Sequence, residues 1–168
     1  MSSLFDLFRR IVRAVRTTPR PGASSTGTAT ATATGYPGDF TGVPRVKYAP
    51  SRDGDPDPGE VVWTWVPFEE DHSQGKDRPV LLIGHDGRWL LGLMLTSKDH
   101  DQDAAQEARW GRYWMDIGAG PWDSRGRPSE VRLDRILRVD PSQVRREGAI
   151  LDRATFDRVA GSLKDHHR

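Results

Sequence analysis

The side chains able to bind an anion and move a proton are few, and they stand at the ends of apolar runs. Arg78 lies directly before Pro79 in SQGKDRPVLLIG (73–84). Proline holds the residue before it in extended geometry, so the guanidinium projects from a constrained backbone. Thr96 and Ser97 end the run RWLLGLMLTS (88–97). Arg132 and Asp134 are two apart in EVRLDRILRVD (130–140), and a strand period of two puts both on one face. A fixed guanidinium with two hydroxyls can cradle a phosphate. A histidine such as His72 and a carboxylate beside it would add a general acid and base. Each residue also has a plain reading, as a strand-end charge, a solvated hydroxyl or a surface ion pair, and spacing alone leaves the choice open.

Other chemistries have no counterpart. The chain shows no GxSxG elbow, phosphate-binding P-loop, HExxH helix or dinucleotide fingerprint. The five histidines are scattered and there is no cysteine, which removes disulfides, thiolate nucleophiles and Cys-based zinc sites together. DGDPDPGE imitates the start of a calcium loop, but Pro58 and Thr64 fall where glycine and glutamate are needed. DHDQDA fails likewise, at Ala104 and Trp110. No cofactor or metal is expected.

The elements that must position these groups are short strands. EVVWTWV (60–66) alternates and is rich in β-branched and aromatic residues. PVLLIG and RWLLGLMLTS are joined by HDG, a hairpin signal. RYWMDI (112–117) is a further strand. EVRLDRILRVD predicts one continuous strand, with Val131, Leu133, Leu137 and Val139 on one face and Glu130, Arg132, Asp134, Arg138 and Asp140 on the other. A short helix and one of about a dozen residues follow, the second capped by Asp152. The pattern predicts a small antiparallel barrel with appended helices.

Three regions are expected. Residues 4–16 place Leu4, Leu7, Phe8, Ile11, Val12 and Val15 opposite Arg9, Arg10, Arg13 and Arg16, a basic amphipathic helix (domain 1–16) suited to an anionic membrane surface, a partner or its own domain. Residues 17–58 read as a low-complexity linker, and 59–168 as the folded domain. Hydrophobic residues make up 35% of the 168, and the net charge is only +1 because acidic and basic stretches are segregated. A sum near neutrality can hide a basic groove. No apolar run reaches the ~18–20 residues of a membrane span, so a soluble, cytoplasmic protein is expected, with peripheral membrane contact through residues 4–16 as an option.

HSQGKDRPVLLIG, LMLTS and VRLDRILRVDPSQVRREG, in that order, resemble the MazF/PemK toxins of type II toxin–antitoxin systems, over about Gly59 to Leu163. The resemblance implies an SH3-like antiparallel β-barrel with a C-terminal helix, a homodimer, a cognate antitoxin, and metal-independent cleavage of single-stranded RNA. In that chemistry the 2′-hydroxyl attacks phosphorus, leaving a 2′,3′-cyclic phosphate and a 5′-hydroxyl. It implies catalytic roles for Arg78 and Thr96, with His72 as acid, six residues before the RP arginine, and Arg132 and Asp134 matching the pair on the later strand. Asp134 is the weakest base, because an unperturbed aspartate has a pKa near ~3.9 and a neighbouring arginine lowers it.

Ser97, Lys76, Trp110 and Trp122 are expected to bind substrate, the two tryptophans by stacking on bases. Asp77 is placed to neutralise Arg78 or to repel phosphate. The acidic residues of the 98–128 loop are placed to screen RNA or set its sequence preference. The alternative is a catalytically inactive PemK-like module that binds nucleic acid or protein through the same groove. A gyrase-poisoning variant of the barrel would need an apolar-aromatic C-terminus, whereas this chain ends KDHHR.

Overall fold

The computed structural model describes residues 35–100, 103–145 and 149–168, which all belong to the compact unit Gly35–Arg168. The expected helix at 1–16 and residues 17–34 of the expected linker lie outside the described residues. Six strands form an antiparallel sheet: β1 (Val61–Pro67), β2 (Gly75–Asp86), β3 (Trp89–Thr96), β4 (Trp114–Gly118), β5 (Ser129–Arg132) and β6 (Leu137–Val139). Helix α1 (Ala104–Arg109) lies between β3 and β4, and α2 (Arg153–Leu163) ends the fold. Asp152 caps α2 as expected, accepting from the Thr155 N–H at 2.9 Å.

β1, β2 and β3 form a meander in the predicted order, with the HDG turn between β2 and β3. The first half of β3 pairs with β6 and the second half with β5, which in turn pairs with β4. Beyond β6 the chain runs along the outer side of β1. The Arg145 N–H donates to the Trp63 carbonyl at 2.9 Å, and the Val61 N–H to the Ala149 carbonyl at 2.8 Å. The sheet thus curls back on its first strand and buries the edge that an open sheet would expose.

Alternation along the strands feeds two clusters. Val61, Leu81, Ile83, Leu91, Leu93 and Leu95 pack with Phe156, Val159 and Leu163 of α2, while Val62, Val80, Leu82, Leu90 and Met94 pack with Leu137 and Val139. Burying a side chain of this size contributes about 1.5–3 kcal/mol.

Two expectations are corrected. The stretch 130–140 is not one strand. It breaks after Arg132, so that Val131, Leu133 and Ile136 join the α2-side cluster while Leu137 and Val139 join the other. Strict alternation would have forced Arg135 onto the apolar face with Leu133 and Leu137. The break turns that guanidinium onto Asp39 instead, with Nε 2.7 Å from Oδ2.

The second correction concerns the linker, whose part at 35–58 is docked as a strap. Phe40 bridges to Ile136, and the Lys47 N–H donates to the Ile83 carbonyl at 2.9 Å. Tyr48 packs on Phe156 and its hydroxyl donates to the Leu151 carbonyl at 2.7 Å. Gly84 permits the docking, because a Cβ there would lie 2.4 Å from the Arg45 carbonyl oxygen. Few anchors suffice where each reaches far along the chain, which is why composition alone reads as linker.

A candidate anion-binding cleft

A cleft of about 450 Å³ opens between the ends of β1 and β2, the end of β3, β5 and the α1 segment. Arg78, Thr96, Arg132 and Trp110, four residues expected from sequence, line it, together with Lys98, His100, Arg112 and Arg135. Acidic groups reach it from Glu69, Glu70 and Glu107. β5 supplies Arg132 because register places it opposite Trp114, while Thr96 lies opposite Glu130.

Arg78 is half-buried and has no carboxylate partner among the described residues. Burial, and then the nearby Arg135 charge, push its pKa below the ordinary arginine value. Asp77, expected to neutralise it, pairs instead with Arg145, since adjacent strand residues point to opposite faces. Arg132 is the reverse case. It is 5% exposed, and its Nη2 meets Asp134 Oδ2 at 2.8 Å and Glu69 Oε2 at 2.7 Å. Burial alone would lower its pKa, but hydrogen bonds and charge from Asp134, then Glu69, outweigh burial and raise it.

Asp134 does not line the cleft. Its two oxygens accept from Arg132, and Oδ1 also accepts the Tyr113 N–H at 2.8 Å. A carboxylate so occupied orients a guanidinium and has little room to take a substrate proton. His72 is likewise not among the lining residues. Its ring stands edge-on to Tyr36 of the strap, centroids 5.1 Å apart. Tyr36 in turn donates to Asp39, the partner of Arg135. Lys76 and Ser97 are exposed and outside the lining.

Trp122 is corrected outright: it is 6% exposed, and its Nε1–H donates to Ser129 Oγ at 2.9 Å. A core residue offers no face to a base. Trp110 is 59% exposed at the cleft, with the Arg112 guanidinium 4.7 Å from its ring centre. The acidic loop is held in check at one point: Glu107 accepts from Trp114 Nε1 at 3.1 Å and lies 3.1 Å from Arg112 Nε, at ion-pair distance but without hydrogen-bond direction.

Three groups escaped the sequence reading. Arg135 was legible only as a charge on apolar parity. His100 and Glu130 form a buried pair, Nδ1 to Oε2 2.5 Å, and Glu130 Oε1 also accepts the His100 backbone N–H at 3.2 Å. Glu130 stood on the polar face of its strand, which was a signal. Nothing local marked His100.

No helix among the described residues is long and apolar enough to cross a membrane. No curated protein matches the chain. Among solved structures it is similar to the MazE–MazF complex of Deinococcus radiodurans, with 19% identity, a TM-score of 0.46, and coverage of 67% of this chain and 96% of that one. The family model described as PemK-like, MazF-like toxin of type II toxin–antitoxin system matches residues 57–167, and the chain belongs to that family.

Proposed function

We propose that the protein is a metal-independent endoribonuclease that cuts single-stranded RNA by attack of a ribose 2′-hydroxyl on the adjacent phosphorus, leaving a 2′,3′-cyclic phosphate and a 5′-hydroxyl. The observation that carries this reading is Arg78: a half-buried guanidinium without a carboxylate partner among the described residues, facing the same cleft as Thr96, Arg132 and Arg135. A phosphorane carries more negative charge than the diester it forms from, and donors fixed before the reaction stabilise that excess without reorganising. Arg78 and Arg132 take the non-bridging oxygens, and the Thr96 hydroxyl supplies a further donor. Lys76 and Ser97 contact flanking phosphates, and Trp110 offers its face to a base. Family membership supports an antitoxin partner, a homodimer and action in the cytoplasm.

A second reading, binding without cleavage, draws on a specific observation: neither His72 nor Asp134 lines the cleft. One experiment separates the two. Purified protein is incubated with a long RNA in EDTA and the ends are mapped. Cyclic-phosphate and 5′-hydroxyl ends that vanish in Arg78→Ala are expected. RNA retained intact by a protein that binds it selects the second reading, and cleavage abolished by the chelator removes the metal-independent one.

A further inference from the structure

The cleft contains a histidine already arranged as a base. His100 lies four residues beyond Thr96, and its backbone and ring are both gripped by one carboxylate, Glu130, which is 5% exposed. With Glu130 ionised and the imidazole neutral, Nδ1 donates its proton to Oε2 and Nε2 keeps a lone pair. Nε2 has no protein hydrogen bond among the described residues, and His100 lines the cleft with Arg78, Thr96 and Arg132. The imidazole lies flat on Trp114, ring centres 4.2 Å apart and planes within 5°, so its plane is fixed. An indole face also favours a cation above it. Trp114 is held in turn by Glu107 through Nε1.

Resting on the ribonuclease reading, we propose that His100 is the general base of this chain and Glu130 its positioning residue. Nε2 takes the 2′-hydroxyl proton as the O2′–P bond forms and the P–O5′ bond breaks. The departing 5′-oxygen takes a proton from water at the open mouth of the cleft, and the imidazolium returns its own to solvent, so protons balance. Glu130 selects the tautomer and stabilises the imidazolium, the role of a carboxylate behind a catalytic histidine elsewhere. The assignment replaces Asp134, whose oxygens are committed to Arg132 and Tyr113.

The charged group bonded to His100 is Glu130 from β5, and those that share the cleft lining with it are Glu69, Glu70, Arg78, Lys98, Glu107, Arg112, Arg132 and Arg135. Substitution of His100 therefore changes the pH profile against an otherwise unchanged set of charges.

The test uses the full chain and a long single-stranded RNA. His100→Asn keeps an N–H toward Glu130 but has no Nε2, and His100→Gln is the second variant. Cleavage is expected to fall at least ~100-fold in both, the scale of general-base catalysis, with RNA affinity within about threefold of wild type, as befits a residue acting on a proton. The acid limb of the pH–rate profile should disappear in both variants, and added imidazole should restore part of the activity of His100→Gly. Glu130→Gln should slow cleavage less and shift the limb. A wild-type chain that cleaves, beside either His100 variant cleaving at the same rate with the same profile, overturns the proposal and leaves the ribonuclease reading standing. A wild-type chain that leaves RNA intact overturns both.

Discussion

Arg78 and Arg132 face one cleft from neighbouring parts of a single sheet, yet the fold treats them in opposite ways. Arg132 is buried and paired through Nε and Nη2 with Asp134 and Glu69, and its surroundings favour its charge. Arg78 has no such partner among the described residues, and burial and Arg135 work against its charge. A carboxylate partner costs a guanidinium its appetite for further anions but repays the loss of water. An arginine left without one is tolerated because it is only half-buried, and it remains available for an incoming phosphate. The contrast therefore separates an arginine fixed in place by its partners before any ligand arrives from one whose charge is left to the ligand.

Stability measurements put that contrast at most risk. Arg132→Ala strands the Asp134 carboxylate beside a vacated interior, and breaking such a pair costs about 3 kcal/mol or more. Arg78→Ala removes a charge that the folded state disfavours, so its unfolding free energy should stay within about 0.5 kcal/mol of wild type or rise. Urea denaturation of the two variants checks this directly. Equal losses in both would mean that Arg78 has a structural partner after all, and its role as a waiting cation would fall.

The same contrast explains what was legible in the sequence. The meander β1–β2–β3 could be read because alternation, β-branched residues and the HDG turn all specify it locally. Arg78, Thr96 and Arg132 could be placed because strand ends and parity depend on near neighbours only. Three features could not. Burying Ile136 and turning Arg135 toward Asp39 breaks the 130–140 strand, and that partner lies 96 residues away. His100 acquires meaning only from Glu130, 30 residues further on. The strap at 35–58 looks like linker because its contacts are sparse and distant, with Tyr48 reaching Leu151 across 103 residues. Trp122 erred in the opposite direction: a tryptophan in a glycine-rich loop resembles a surface platform until Ser129 is found beneath its indole nitrogen.

A smaller effect tests whether the strap behaves as part of the site. Asp39 ties it to Arg135 and accepts from Tyr36. Burial tends to raise the Asp39 pKa, but hydrogen bonds from Arg135 and Tyr36 and the Arg135 charge prevail and hold it below the usual aspartate value. A depressed folded pKa means stability that is present above the unfolded value, near ~3.9, and lost as pH falls through the folded one. Below about pH 4, then, the strap should loosen before the barrel. Amide exchange at Phe40 and Lys47, which donate to Ile136 and Ile83, should quicken ahead of exchange at Val61 and Leu82. Asp39→Asn should produce the same pattern at neutral pH at a cost of about 1–2 kcal/mol. Uniform exchange across all four amides would mean the strap has no independent opening.

Glu69 offers the smallest and sharpest change, because it is the outer half of the Arg132 clamp. Its side chain is 53% exposed while that of Arg132 is 6% exposed, so water already screens most of the attraction. Glu69→Gln should alter stability by less than about 0.5 kcal/mol, since Asp134 still holds Nε and Nη2 of Arg132. The substitution nevertheless removes a negative charge from the lining of the cleft and releases one donor of Arg132. RNA affinity at low salt should therefore rise about two- to threefold, and the gain should fade as salt screens it. An unchanged affinity would place the RNA backbone away from Arg132, leaving Arg78 as the phosphate-facing group.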